Sequence, residues 1–169
     1  MASWVMWFYV PAMDMAAPRI GRLLDRAAAQ CAARGVRLTE LRREVLELIL
    51  AAPAPTGAYE LLDRLRAKRG GAAPPTVYRA LEFLQEQGLV HKIERLAAFV
   101  GCVDGHAHGP DHAHSAQFLI CRQCGHVIEM EDPALTSALA EAAARAGFTV
   151  ARATVEAEGL CAACAAKAG

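Results

Sequence analysis

At 169 residues the chain has room for one or two domains, and its 18 basic and 18 acidic side chains cancel overall. The balance hides a split: residues 19–96 carry fourteen Lys/Arg against nine Asp/Glu, net +5, and residues 97–169 four against eight, net −4, with Asp14 the remaining −1. A basic first part beside an acidic, cysteine-bearing second part points to a nucleic-acid module joined to a metal module, although +5 alone is also what an ordinary solvated surface carries.

The opening MASWVMWFYVPA reads neither as a membrane span nor as a secretory leader, because it stops at Pro11 and has no cationic n-region. Residues 1–18 are expected to be a disordered extension from an upstream start codon, with Met13 or Met15 the natural beginning, and the chain is expected to be cytoplasmic with no membrane partner. Helical periodicity then runs to residue 88. Ile20 to Arg34 puts Leu23, Leu24 and Ala27 on one face and stops at Gly35; Cys31 within it reads as core packing. Thr39 caps a helix with Leu41, Val45, Leu48 and Ile49 inward, ended by Pro53 and Pro55. Ala58, Leu61, Leu62 and Leu65 repeat the spacing before Gly70-Gly71. After Pro74-Pro75, Thr76 opens a fourth helix with Val77, Ala80, Leu81 and Leu84 inward, closed at Gly88. Leu89–Glu94 and Ala98–Cys102 read as two short strands joined by a turn. Helices followed by a hairpin is the order of a winged helix-turn-helix.

In that architecture the first residues of the recognition helix meet the base edges. With Val77, Ala80 and Leu81 committed to the core, Tyr78 and Arg79 fall on the outer face, where Arg can donate bidentately to guanine and Tyr can meet a thymine methyl or a phosphate. Thr76, Tyr78 and Arg79 are the candidate DNA contacts. A solvated arginine on an ordinary amphipathic helix would look the same from these residues alone.

Further on, Phe118–Ile120 and Val127–Met130 read as strands, Asp132-Pro133 as the N-cap and first residue of a helix through Arg145 ended by Gly147, and Phe148–Val155 as a further strand. The pairs Cys121/Cys124 and Cys161/Cys164 bracket this stretch. Two C-x-x-C knuckles together supply four thiolates for a tetrahedral structural zinc. Disulfides would need an oxidising compartment, and a redox C-x-x-C would be expected once, in a βαβ context. A domain of about seventy residues has a thin core and is expected to need both zinc and a partner subunit. The remaining ligand-type residues are His91, Cys102, His114, Glu129 and a histidine-rich loop bearing His106, His108 and His112.

The run PPTVYRALEFLQEQGLVHKIE, preceded by GVRLTELRREVLELI and followed by FLICRQCGHVIE and GLCAAC, resembles the ferric uptake regulator superfamily, and within it the zinc uptake regulator branch. The resemblance covers residues 20–165. It implies an α+β protein with a winged-helix domain (19–96), a hinge (97–105) and a small C-terminal α/β dimerisation and metal-binding domain (106–169). It further implies a homodimer that binds double-stranded operator DNA when loaded with zinc and represses zinc-uptake genes. Matched to the family pattern, the regulatory zinc ligands fall on His91, Cys102, His114 and Glu129, which makes two zinc ions per subunit. One thiolate, one carboxylate and two neutral imidazoles balance the charge of Zn²⁺, and mixed N/S/O ligation suits it. These ligands come from wing, hinge and C-terminal domain, so the metal would favour one relative orientation, the requirement for a switch. His106, His108 and His112 read as a flexible insertion, with a third, weaker zinc site the alternative.

The rival readings are an iron- or peroxide-responsive regulator of the same superfamily, and a zinc-dependent hydrolase or thiol oxidoreductase. Iron and peroxide sensors carry a histidine/acid cluster ending three residues before the first C-x-x-C. Here Gln117 and Phe118 stand there instead. An enzyme would need an open coordination position or a paired nucleophile and base, and neither is legible.

Overall fold

The computed structural model describes residues 17–71, 73–102, 116–151 and 153–168. His106, His108, His112 and His114 lie outside the described residues, as do the first sixteen of the expected extension. The described residues form two compact units, 17–102 and 116–168.

In the first unit, α1 (Ala17–Ala33), α2 (Glu40–Leu50), α3 (Ala58–Arg69) and α4 (Pro74–Glu86) precede the strands β2 (Val90–Ile93) and β3 (Ala98–Gly101). The apolar arc of α2 is wider than the predicted stripe. Val45, Leu46, Ile49 and Leu50 are buried and Leu41 and Leu48 pack partly against the same core, because α2 contacts α1, α3 and α4 together. Leu61, Leu62 and Leu65 of α3 and Val77, Ala80, Leu81 and Leu84 of α4 complete it. Each such leucine stabilises the fold by about 1.5–3 kcal/mol relative to exposure. Gly70 ends α3 in the left-handed conformation, at φ 72°, which costs glycine nothing.

Four details of this unit differ from the sequence reading. α1 begins at Ala17, inside the expected extension. Thr39 stands at the N-cap of α2 without a side-chain capping hydrogen bond. Pro74 and Pro75 are the first residues of α4 rather than its preface, since a first-turn residue has no helical partner for its N–H. Thr76 therefore sits inside the first turn, and its N–H bonds Ala73 O at 3.0 Å. The two-residue strand β1 (Thr56–Gly57) had no pattern to announce it; it pairs with β3 to give the antiparallel order β1-β3-β2.

The second unit holds β4 (Ala116–Cys121), β5 (Val127–Met130), α5 (Pro133–Arg145), β6 (Thr154–Gly159) and α6 (Ala162–Ala168). Asp132 caps α5 by accepting from the amides of Ala134 and Leu135. The sheet runs β5-β4-β6, with β4 antiparallel to β5 and parallel to β6. The strand predicted over Phe148–Val155 begins only at Thr154. Phe148 is instead spent on ending α5: its N–H bonds Ala143 O at 2.9 Å, around Gly147 at φ 71°. Among the described residues no helix is long and apolar enough to cross a membrane.

Candidate metal centres and DNA-reading helix

The parallel pairing of β4 with β6 assembles the cysteine cluster. Parallel strands end on the same side of a sheet, and the register sets Cys121 opposite Gly159, so the chain leaves both strands at one place. From β4 it turns back through Gln123 and Gly125, with Gly125 N bonded to Cys121 O at 2.9 Å and Cys121 N to His126 O at 2.8 Å. From β6 it enters α6, whose first turn carries Cys164 beneath Cys161. This short alanine-rich helix was not legible in the sequence.

The ligand atoms of Cys121, Cys124, Cys161 and Cys164 all lie within 4.8 Å of one another, with the Cys124 and Cys161 sulfurs 3.7 Å apart. Zinc–sulfur bonds of about 2.3 Å at tetrahedral angles require sulfurs about 3.8 Å apart, so the four side chains fit that ion. The Cys121 thiol is lowered to about 6, chiefly by the Cys161 N–H, which donates to its sulfur at 3.3 Å, and next by the Cys124 backbone. The Cys164 thiol is pushed up to about 12, chiefly by its hydrogen bond with the Cys161 thiol and next by burial. Crowded sulfurs spread their proton affinities in this way, and a divalent cation that takes thiolates removes the competition.

A second donor pair forms within the first unit. His91 lies on β2 opposite Val100, and Cys102 follows β3 with its N–H bonded to Leu89 O at 3.0 Å. The wing hairpin thus brings the His91 ring and the Cys102 sulfur within 4.8 Å. Just before it, Gly101 meets α2 so closely that an added Cβ would stand 2.4 Å from Leu50 Cδ2. In the second unit Glu129 lies on β5 opposite Phe118 of β4. Phe118 is buried and Gln117 is fully engaged. Gln117 Nε2 donates to Asp132 O at 3.0 Å and to Thr136 Oγ1 at 3.1 Å, and its Oε1 accepts from Asp132 N at 3.0 Å. Where the sister branches would carry ligands, this chain ties β4 to the start of α5.

On α4, Val77 and Ala80 are buried while Tyr78 and Arg79 face solvent. Tyr78 is 48% exposed.

Helices, wing and four-thiolate cluster together define a metal-binding winged-helix protein. The Ferric uptake regulator family matches residues 33–158, and the chain belongs to that family. It is a regulator, not an enzyme. The chain is 44% identical over 143 residues to the zinc uptake regulation protein of Escherichia coli strain K12, covering 84% of this chain and 81% of that one. A zinc uptake regulator complexed with zinc and DNA is similar in structure, with TM-score 0.79 and 42% identity over 88% of this chain and 97% of that one. Holo XcZur is also similar, with TM-score 0.74 and 45% identity over 86% and 98%.

Proposed function

We propose that this chain is a zinc-dependent transcriptional repressor of the cytoplasm that binds double-stranded operator DNA as a homodimer and represses zinc-uptake genes. The observation that carries the reading is the presence of two donor sets of different make-up. Cys121, Cys124, Cys161 and Cys164 come from one unit and suit a zinc that holds that unit together. His91 and Cys102, joined by Glu129 and His114, make the regulatory set, for two zinc ions per subunit. The reading is supported by a relative named as a zinc uptake regulation protein and by a structural neighbour complexed with zinc and DNA.

Zinc supplies the second set with a cation that four neutralising or neutral ligands can share. The chain's own residues do the rest. His91 and Cys102 belong to the wing hairpin, a short step along the chain from α4, and Glu129 and His114 belong to the other domain. Joining the two pairs of ligands selects an orientation of the recognition helices, and an effector must discriminate between orientations in this way to act. Thr76, Tyr78 and Arg79 then meet the operator. Leu135 and Leu139, 39% and 37% exposed on α5, are apolar side chains that a partner subunit would cover.

The test is a zinc-buffered DNA-binding titration on wild-type protein and Cys102→Ser. Wild-type affinity should rise steeply with free zinc. The variant should stay a folded dimer with one zinc per subunit and a flat response. A Cys102→Ser protein with the wild-type zinc dependence would overturn the regulatory assignment.

A further inference from the structure

Several cations of the first unit lie in ion pairs. Arg43, Arg64, Arg66, Lys68, Arg69 and Lys92 each face a carboxylate, as in Arg43–Asp25 at 2.8 Å and Lys68–Glu47 at 2.9 Å. Arg42 does not; among the described residues no carboxylate pairs with it. Its guanidinium carbon lies 3.5 Å from the centre of the Phe83 ring, and one Nη donates to Arg37 O at 2.8 Å.

That geometry leaves a particular set of donors open. Stacking uses the flat face of a guanidinium and leaves its in-plane N–H groups pointing outward, the arrangement that grips a phosphate. The ring beneath is buried to 8% exposure and so is a fixed platform. Phe83 also stands four residues after Arg79 on α4, and residues so spaced share a helix face. Arg42 is therefore held against the recognition helix one turn beyond Arg79.

We propose that Arg42 is a second DNA-contacting arginine, a phosphate clamp that Phe83 and the Arg37 carbonyl pre-orient beside the groove entered by α4. The inference rests on the DNA-binding reading above. Arg79 reads bases, whereas Arg42 grips the backbone and carries no sequence preference. Its immobilisation before binding lowers the ordering cost of the contact.

The test is the salt dependence of binding, for zinc-loaded full-length protein, to operator and to a random duplex. Each phosphate contact contributes about 0.9 to the slope of log affinity against log salt. Arg42→Gln should flatten that slope by roughly 1 per subunit on both duplexes and leave their affinity ratio unchanged. Arg42→Lys, which keeps the charge, should restore most of the slope. A wild-type slope in Arg42→Gln overturns the clamp, and so does a collapsed operator preference at unchanged slope, which would make Arg42 a brace for α4. If Arg42→Gln fails to fold, arginine footprinting of wild-type protein with a dicarbonyl reagent decides. Arg42 should be protected by a random duplex, and equal modification with and without DNA overturns the proposal. A wild-type protein without zinc-dependent operator binding sinks the functional reading and Arg42 together; intact wild-type binding with no change at Arg42 sinks the clamp alone.

Discussion

In the winged-helix unit, four helices and a strand pair close over one apolar core that takes in eighteen buried residues, from Leu24 on α1 to Phe99 on β3. Among the described residues of the C-terminal unit α5 buries none, and burial is confined to β4 and the cysteine cluster: Ala116, Gln117, Phe118, Ile120, Cys121 and Cys164. The first unit removes enough apolar surface from water to offset the entropy of ordering its chain. The second has one sheet and one exposed apolar helix, and too little core for its length. What the second lacks in packing, the proposed zinc and partner subunit would supply.

The comparison breaks most visibly at the cysteine cluster. Structural zinc of this kind contributes roughly 10–16 kcal/mol that appears as folding free energy. Cys121→Ser should cost the C-terminal unit its fold and the protein its dimerisation whatever the zinc supply, while hydrogen exchange in α2 and α3 remains slow. Sedimentation and exchange measured together check this. Rapid exchange across both units would show that the first depends on the second for stability.

The reverse experiment is smaller. Leu65 is fully buried, and Leu65→Ala should destabilise the winged-helix unit by about 2–5 kcal/mol through lost transfer energy and a cavity. Its melting should fall while the zinc content of the cysteine cluster stays at the wild-type value. Loss of that zinc would show that the units do not fold independently.

Smallest of all is a change that touches neither source of stability. Arg79 is exposed on α4, and Arg79→Ala should cost about 1–3 kcal/mol of operator affinity if it donates bidentately to a base. Melting, zinc content and dimerisation should be unaltered. Unchanged operator affinity would remove α4 as the reader.

Much of this was legible before any coordinates, for identifiable reasons. Helices α2 to α4 announce themselves because apolar spacing, proline and glycine act within a few residues of one another. Asp132-Pro133 marks the start of α5 by the same local chemistry, and the two C-x-x-C knuckles carry their meaning in their own spacing. Elements that depend on distant partners were missed or displaced. β1 exists because β3 offers its edge, β6 begins at Thr154, the partner of the first residue of β4, and α6 is a short alanine run beside a cysteine cluster.

The candidate sites divide along the same line. By itself the sequence determined the ligand types, the helical core and the outward placing of Tyr78 and Arg79, all consequences of short-range periodicity and side-chain chemistry. Tertiary structure alone decided that β4 and β6 run parallel, which brings two knuckles separated by thirty-six residues to one end of a sheet. It also decided that Gln117 is consumed by hydrogen bonds to Asp132 and Thr136, and that Arg42 lies on Phe83, forty-one positions along the chain. Strand direction and through-space stacking follow from packing between segments remote in the chain, and no local pattern of residues encodes them.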